Sequence, residues 1–537
     1  MMPTVAHLLR DHVTLSISCV DRLYINGYQP GLQTSGGLCY FMRSRLGAEI
    51  PSPALFKPIR QRLADDFEQF VERQNIPVVQ FKRRQRKDDV AAEYRAKFKQ
   101  EQGVVFVGVA QEKANSFKAS KRKGAGNFVE FDFSRQPVYV KHLYFYLEDR
   151  FWGPGFIKVC TYLPYPIKLC LNGHEWAKKQ LQREGIAFES LDNGFLSCEH
   201  PERLQQICDD LGPSDILRFF HYWSRRLPWP LTLEDREAGY EHRLSIWQME
   251  TSLTQVFDQP IQGRHFFESV IRENIDLGRP DRISLVFPIR FNKRTPPPHG
   301  GYRSRVLTAG VHPSIHVEFK HSHIKQYFKE EKALRTETTV NDTMDFYIGK
   351  DISHMEEIRD KSHDMNLKLL EIERVSQNCV LNQDELDQLQ QPTVEEDQRA
   401  SALPFGNRRV FALMLALCLL IHLPVGFRNK DLRKHVASLL GLKPDDYGTG
   451  QMTYDLRRLR LKGLIQRDGG TYRYRMTSHG IRVAFFYSKV HIRILRPGFA
   501  ALDIQGDAVP RPLRNAFARI DKEIQKICES AQLEAAT

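Results

Sequence analysis

The stretch that decides the fold of this 537-residue chain is residues 453–484, TYDLRRLRLKGLIQRDGGTYRYRMTSHGIRVA. Residues 453–462 predict a helix, because Leu456 and Leu459 recur at the spacing that places side chains on one helix face. After it, a strand is predicted at 465–467, an Asp-Gly-Gly turn at 468–470 and a second strand at 471–476. A last helix is predicted at 481–491. The stretch therefore predicts a helix, a tight hairpin and a second helix in direct succession.

Two further helices are predicted just upstream of this stretch. Residues 410–423 are almost wholly apolar, which is typical of a buried helix. Residues 429–440 place Leu432, Val436 and Leu439 at helical spacing, so these three side chains are expected to face inward. Gly441 then follows as a residue suited to end the helix.

Three helices, of which the third is basic, followed by a glycine-tipped hairpin, form the order of a winged helix. The stretch resembles the recognition helix and wing of winged-helix DNA-binding domains. That resemblance implies that the third helix lies in the major groove and that the wing reaches the backbone or the minor groove. The implied nucleic-acid contacts are Arg457, Arg458, Arg460 and Lys462 on the helix, and Arg467, Arg473 and Arg475 on the wing. Winged helices also serve as protein-docking modules, so a scaffold that binds an acidic partner is an alternative.

The distribution of charge favours a nucleic-acid partner for the same region. The chain has 78 Lys and Arg against 65 Asp and Glu, a net charge of +13. Residues 404–495 alone hold 17 Lys and Arg against 5 Asp and Glu, a net of +12. Nearly all of the excess positive charge is therefore concentrated in the predicted winged helix, as expected of an electrostatic footprint for nucleic acid.

An acidic segment precedes the basic module and indicates a domain boundary. Residues 376–403 carry six acidic side chains against one basic one, together with Pro392 and a Gln-rich run. This composition predicts a solvated linker or a short exposed helix. No internal repeat is evident. The predicted fold class is a multidomain α+β protein, with mixed α/β N-terminal and central regions and a C-terminal winged helix. The predicted regions are 1–130, 131–375, the linker 376–403, the winged helix 404–495 and an extension 496–537.

Several protein classes are disfavoured by composition. Nine scattered cysteines without a CxxC pair do not form a disulfide framework or a zinc ribbon, which favours a reducing, cytoplasmic location. The longest apolar run, residues 410–425, is shorter than the roughly 20 residues that span a bilayer, so no membrane span is expected. No phosphate-binding glycine motif indicates a nucleotide-driven motor.

A second chemical pattern lies in the central region. Residues 263–275 predict a helix, Asp281 precedes a predicted strand at 283–287, and strands are predicted at 303–308 and 315–320, the last reading IHVEFK. A helix is predicted from His323. This order resembles the PD-(D/E)xK nucleases, and the resemblance implies that Asp281 and Glu318 ligate Mg²⁺ while Lys320 orients the attacking water. The sequence departs from that pattern, because the strand at 303–308 has no carboxylate. The alternative is a solvent-facing strand with an ion pair.

Lysines downstream of this motif give a further candidate contact with nucleic acid. Lys325, Lys329 and Lys332 are spaced as i, i+4 and i+7, which predicts one face of a helix that can track a phosphate backbone. A plain exposed helix is the competing interpretation, because Glu330 and Glu331 partly offset the charge.

Taken together, these patterns predict a DNA-binding protein that acts as a regulator or as a replication or mobile-element initiator, with double-stranded DNA as the expected partner. The first alternative is a Mg²⁺-dependent nuclease, in which Mg²⁺ is the cofactor. The second is the protein-docking scaffold. The choice between DNA and RNA, the recognised sequence, catalytic activity and the oligomeric state stay open at this stage.

Overall fold

A computed structural model describes residues 4–82, 85–123, 129–274, 302–309, 312–377, 379–395, 398–421, 425–443, 446–495, 498 and 511–530. Its helices are α1 (Val5–Asp11), α2 (Ser35–Ser44), α3 (Phe56–Gln74), α4 (Lys87–Lys97), α5 (Gly173–Glu184), α6 (Pro201–Asp210), α7 (Pro213–Ser224), α8 (Leu233–Glu237), α9 (Pro260–Asn274), α10 (Met355–Gln377), α11 (Gln383–Gln390), α12 (Arg408–Leu420), α13 (Asn429–Leu440), α14 (Thr449–Leu461), α15 (Ser478–Val490) and α16 (Arg511–Ser530).

The strands of the large sheet are β1 (Val13–Tyr28), β2 (Val78–Gln80), β3 (Gly103–Lys123), β4 (Val129–Asp149), β5 (Gly153–Cys160), β6 (Ile167–Asn172), β9 (Arg243–Phe257), β10 (Tyr302–Ala309), β11 (His312–Phe319), β12 (Ser322–Lys329) and β13 (Ala333–Val340). Three small hairpins are formed by β7 (Phe188–Leu191) with β8 (Gly194–Cys198), β14 (Thr393–Glu395) with β15 (Gln398–Ala400), and β16 (Ile465–Arg467) with β17 (Tyr474–Met476). The chain is thus a mixture of helices and strands, as predicted.

The eleven strands of the large sheet follow the order β10-β11-β12-β13-β9-β1-β6-β5-β4-β3-β2. The predicted boundary between residues 130 and 131 falls inside β4, which pairs along its length with β3. The regions predicted as 1–130 and 131–375 therefore share one sheet. The long β3–β4 ladder joins them across the predicted boundary.

The sheet has two halves with the same topology. In the first, β1 is followed by helices, and β3 to β6 then form an antiparallel meander that returns to pair with β1. In the second, β9 is followed by α9, and β10 to β13 return in the same way to pair with β9. Because β1 and β9 pair antiparallel at the centre, an approximate twofold axis passes between them. The two halves lack a sequence repeat, so the sequence alone gave no sign of this symmetry.

Alternation along the strands separates the side of the sheet that carries the main core from the opposite side. On β6, Ile167, Leu169 and Leu171 are buried in the main core, whereas Lys168 and Cys170 between them are partly exposed. Successive side chains on a strand point to opposite faces, so the two sets lie on opposite sides of the sheet. We call the side that carries Lys168 and Cys170 the polar face.

The C-terminal module has its own core, formed mainly by α12 to α15 and the β16–β17 hairpin. Phe427 forms a bridge with Tyr474 of the hairpin, through backbone N–H to carbonyl bonds of 2.9 and 2.8 Å. Gly441 ends α13 with a φ of 74°, a left-handed conformation that glycine adopts without steric cost. The predicted helices and hairpin of this module are confirmed. Leu439, however, is 40% exposed and does not face the core.

The helix predicted from His323 is wrong, because these residues form β12. The strand pairs with both β11 and β13, and its burial alternates: Ile324 and Gln326 are buried, while Lys325 and Tyr327 are partly exposed. Alternation with period two is the signal of a half-buried strand. The i, i+4 and i+7 spacing of the lysines gave the wrong period, since lysine positions alone do not define a buried face. Lys332 lies in the turn that follows.

A buried polar layer joins α10 to the second half of the sheet. Gln326 donates to the Glu373 carboxylate at 2.9 Å and to Thr336 at 3.1 Å, and Thr338 bonds Asn366 at 2.7 Å. Burial raises the pKa of Glu373 to about 8, because desolvation penalises its charged form. Glu373 therefore stays protonated in the folded chain at pH values where it ionises in the unfolded chain.

We expect this linkage to make stability fall with rising pH. Below the unfolded pKa of about 4.3 Glu373 is protonated in both states, and between about 4.3 and 8 only the unfolded state ionises, at about 1.4 kcal/mol per pH unit. Glu373→Gln keeps an amide oxygen as acceptor, so it should flatten the dependence of the free energy of unfolding on pH. Chemical denaturation at intervals of about one pH unit between pH 5 and 8 measures this dependence. The exposed Glu356→Gln on the same helix is the control. An unchanged slope in Glu373→Gln contradicts the assignment.

Candidate nucleic-acid interface

The four basic residues predicted on α14 occupy different environments. Arg457 is exposed, and within the described part of the chain no hydrogen bond or ion pair involves it. Arg458 is buried, donates to Asp455 Oδ1 at 3.1 Å and also donates to the carbonyl of Ala402. Arg458 therefore belongs to the interior of the module, where its guanidinium is bound by groups of the chain itself.

Asp455 explains why an arginine is buried here. Its side chain is fully buried, it accepts from Arg409 at 2.7 Å, and it also accepts from the hydroxyl of Tyr447. A buried carboxylate requires charge and hydrogen-bond partners, since an uncompensated charge in the interior is very unfavourable. Arg458 and Arg409 supply those partners from α14 itself and from α12.

The segment predicted as a solvated linker packs against the end of α14. Lys462 Nζ donates to Thr393 Oγ1 at 2.9 Å and to the carbonyls of Gln388 and Gln391 at 3.1 and 2.7 Å. Arg460 remains exposed but donates to Gln398 Oε1 at 3.2 Å. On α15, Arg482 pairs with Glu385 of α11. The acidic segment is thus docked on the module that it precedes, and Lys462 is occupied by it.

The three arginines of the hairpin also have partners within the chain. Arg473 donates to the hydroxyl of Tyr347 at 2.6 Å and to the carbonyls of Val425 and Gly426, so it connects the hairpin to the large sheet region. Arg475 pairs with Asp468 at 3.1 Å. Arg467 bonds the Thr471 carbonyl at 2.7 Å and is exposed at the hairpin's edge.

Several of the exposed cations of the module lie together on two adjacent helices, α13 and α14. Asn429 Nδ2 donates to Thr453 Oγ1 at 3.0 Å, which places the start of α13 against the middle of α14. The exposed cations of these two helices and the residue before α13 are Arg428, Lys430, Lys434, Arg457 and Arg460. The three on or before α13 were not among the predicted nucleic-acid contacts. They alternate with the buried Leu432 and Val436, so the helical periodicity of α13 carried the signal that could have found them.

The structure describes two of the three residues predicted for a nuclease site, Glu318 and Lys320, and they lie in different settings. Glu318 is buried on β11, at a position paired in register with His323. Lys320 lies beyond the end of that strand, in a turn with a φ of 49°, and its Nζ donates to the carbonyl of Asp345 at 3.1 Å. The pair therefore does not share a strand face. Asp281, the predicted second metal ligand, lies outside the described residues.

The two lysines predicted as backbone contacts lie on the polar face of β12. Lys325 Nζ lies 4.1 Å from the centre of the Tyr327 ring. Burial lowers the pKa of Lys329, with a further contribution from the positive charge of Arg335. Both lysines therefore lie within the sheet, on the third strand from its β10 edge, instead of on an independent basic helix.

Sequence reasoning missed three carboxylates at the centre of the polar face. Asp21, Glu250 and Glu337 come from β1, β9 and β13, and one oxygen of each lies within 4.8 Å of the others. Burial, with repulsion from Glu337 and Asp21, raises the pKa of Glu250 to about 8. These residues are more than 80 positions apart in the chain, so no local spacing could have revealed them.

A buried arginine already balances part of this acidic group. Arg335 is 1% exposed, pairs with Asp21, and has Nε 3.5 Å from Glu337 Oε2. It also donates to the Asn193 carbonyl at 2.7 Å and lies 3.2 Å from His174 Nε2. Carboxylate oxygens are ligands that Mg²⁺ accepts, but here an internal cation and proton uptake compensate the charge.

Comparisons with protein-family models, curated proteins and solved structures found no match to this chain. Among the described residues, no helix is both long and apolar enough to cross a membrane.

Proposed function

We propose that the chain is a DNA-binding protein whose residues 404–495 form a winged helix that binds duplex DNA through α14. The order of α12, α13, α14 and a hairpin supports this proposal, as does the bridge between Phe427 and Tyr474, which adds a short third strand to the hairpin. In such a module the third helix enters the major groove.

The observation that carries the proposal is the exposed cationic surface shared by α13 and α14. Arg457 lies on the outer face of α14 without an internal partner among the described residues, and Lys430 and Lys434 lie exposed on the adjacent helix. Cations held on one surface neutralise neighbouring phosphates and release their counterions, so they give affinity that depends on salt. Arg457 is the residue best placed for both phosphate and base contacts.

The extent of the chain outside this module supports a regulator or a replication or mobile-element initiator. A large sheet with a polar face precedes the module, and Arg473 connects the two through Tyr347. A minimal repressor needs no such region. We therefore propose that the sheet region has a separate binding role, coupled to recognition of duplex DNA.

The nuclease alternative has less support than duplex binding. Its motif needs Glu318 and Lys320 on one face of a strand, whereas Lys320 lies in a turn and donates to a backbone carbonyl. Incubation of the protein with DNA and Mg²⁺, with EDTA as control, distinguishes the two functions. Cleavage that depends on Mg²⁺ and is lost in Glu318→Gln would favour the nuclease.

Arg457→Ala should weaken duplex binding by about 1–3 kcal/mol, which corresponds to about 5-fold to 150-fold, because one base or phosphate contact is lost. Fluorescence anisotropy with a labelled duplex, measured over a range of salt concentrations, tests this. The matched control is Arg73→Ala, which removes the same charge from the exposed surface of α3 in the sheet region. Equal affinities of wild type and Arg457→Ala at low salt would exclude α14 from the interface and favour the protein-docking alternative.

A further inference from the structure

A pair of lysines lies side by side on the polar face of the first half of the sheet. Lys168 on β6 is directly opposite Lys158 on β5, and the same row continues to Asn26 on β1 and Tyr144 on β4. Directly opposite side chains have Cβ atoms about 5 Å apart, and like charges in that arrangement are destabilising. A folded protein retains such a pair where something outside the pair compensates it.

Within the described part of the chain, only Lys158 of the pair forms an ion pair with a carboxylate. Lys158 pairs with Glu112, which also binds Lys87 at 2.5 Å and accepts from the Tyr144 hydroxyl at 2.6 Å. That single carboxylate therefore already serves two lysines. Lys168 has no ion pair with any carboxylate that the structure describes. Burial and the charge of Lys158 lower the pKa of Lys168 to about 8.

The Lys168 ammonium lies against an aromatic ring instead of a carboxylate. Its Nζ is 3.4 Å from the centre of the Trp247 ring, and Tyr24 meets that ring edge-on at 6.0 Å. Trp247 is partly exposed, whereas the other four tryptophans are buried. A cation–π contact fixes the position of the ammonium but leaves its charge available to an anion.

An unneutralised ammonium beside accessible aromatic rings matches the chemistry of a nucleotide. The phosphate binds the ammonium, and the base stacks on an aromatic ring, which contributes about 1–3 kcal/mol per base. Duplex DNA keeps its bases stacked on each other, so this combination favours a single strand whose bases are free. The ligand class is thus distinct from the duplex assigned to α14.

We propose that Lys168, Trp247 and Tyr24 form a binding site for single-stranded nucleic acid on the polar face of the sheet. The site goes beyond the duplex contact proposed for the C-terminal module and uses none of its residues. A protein that holds duplex DNA with one region and a separated strand with another has the two contacts that opening a duplex at a specific place requires.

Tryptophan fluorescence tests the site directly, because Trp247 is the tryptophan with access to solvent. A single-stranded oligothymidylate should quench part of the emission of the full-length protein. It should also protect Trp247 from quenching by acrylamide. Trp247→Phe should remove that ligand-dependent change. The arms of the titration are the oligothymidylate, an abasic oligomer of the same length and inorganic phosphate. We expect the abasic oligomer to bind about 5-fold to 150-fold more weakly than the oligothymidylate, the equivalent of one stacked base.

Variants of Lys168 separate the site from general electrostatics. Lys168→Met should weaken oligothymidylate binding at least about tenfold, and Lys168→Arg should retain most of it, since a charge-assisted contact is lost in the first and kept in the second. The matched control is Lys113→Met, which removes an exposed lysine that lies 5.4 Å from the Tyr139 ring. Thermal unfolding confirms that each variant is folded.

Three results would overturn the proposal: equal binding by wild type and Lys168→Met, equal binding of the abasic and natural oligomers, or quenching by inorganic phosphate at the same concentrations as the oligomer. The last would indicate a site for a free anion. Duplex binding measured on the same variants keeps the two proposals apart, because Lys168→Met should leave it unchanged, whereas Arg457→Ala should reduce duplex binding and leave the fluorescence response intact.

Discussion

Asp455→Ala should lower the free energy of unfolding of the C-terminal module by about 3–5 kcal/mol, because it leaves the buried guanidinium of Arg458 without its counter-charge. Arg409 and the Tyr447 hydroxyl lose their acceptor at the same time. Chemical denaturation followed by far-UV circular dichroism measures the change, with the exposed Asp446→Ala as the control of the same residue type.

Arg457 and Arg458 are neighbours on α14, but substitutions at the two positions should have different effects. Arg457→Ala should reduce duplex binding without loss of stability, whereas Arg458→Ala should reduce stability. If the free energy of unfolding of Asp455→Ala lies within about 1 kcal/mol of the wild-type value, the buried network is contradicted. Arg458 would then again be a candidate for contact with nucleic acid.

The periodicity of α14 predicted its apolar face but not the environment of its arginines. Leu456 and Leu459 are buried as expected from their spacing. Arg458 is buried for a different reason, since its guanidinium donates to the carbonyl of Ala402 in the preceding segment. The acidic composition of that segment predicted a solvated linker or a short exposed helix. Composition gives the charge of a segment, but it does not show which lysines and arginines bind its carboxylates and backbone carbonyls.

The same limit explains the errors around residues 318–329. Glu318 and Lys320 are two positions apart, which places them on one face only if the strand continues through both. The turn at Lys320, with its left-handed φ of 49°, ends the strand first. Side chains at i, i+4 and i+7 also satisfied a helical pattern, although the burial of Ile324 and Gln326 shows the period of a strand.

Elements whose signal is local were predicted well, and sites built from distant strands were not. The hairpin of the C-terminal module and helix α13 depend on turn residues and apolar spacing within about a dozen positions, and both are confirmed. The cluster of Asp21, Glu250 and Glu337 depends on the pairing of β1, β9 and β13, which no short stretch of sequence encodes.

Arg335 is the residue on which that central cluster depends. Arg335→Met should destabilise the folded chain by about 3–5 kcal/mol near neutral pH, because Asp21 becomes a buried carboxylate without a cation. Arg335 and Asp21 are 1% and 3% exposed, so solvent does not screen the loss. Thermal and chemical denaturation of the full chain measure the effect.

The pH dependence of the variant identifies the cause. Burial raises the pKa of Asp21, but attraction to Arg335 and other neighbours outweighs it and holds the pKa below its ordinary value. The pair therefore contributes stability above the unfolded pKa of Asp21 and loses it as the pH falls through the lower, folded pKa. Without Arg335 the pKa of Asp21 should rise above its unfolded value, and the variant should then become less stable as the pH rises. The difference between wild type and variant should accordingly be smallest in acid and largest above neutral pH.

A second substitution distinguishes loss of charge balance from loss of packing. Arg335→Met combined with Asp21→Asn removes both members of the pair, and it should be more stable than Arg335→Met alone, since no uncompensated charge remains on Asp21. If the double variant is as unstable as the single one at every pH, the arginine acts through its contacts with Asn193 and Thr254 instead of through charge. Recovery in the double variant would establish that the carboxylates at the junction of β1, β9 and β13 are tolerated because one buried cation balances them.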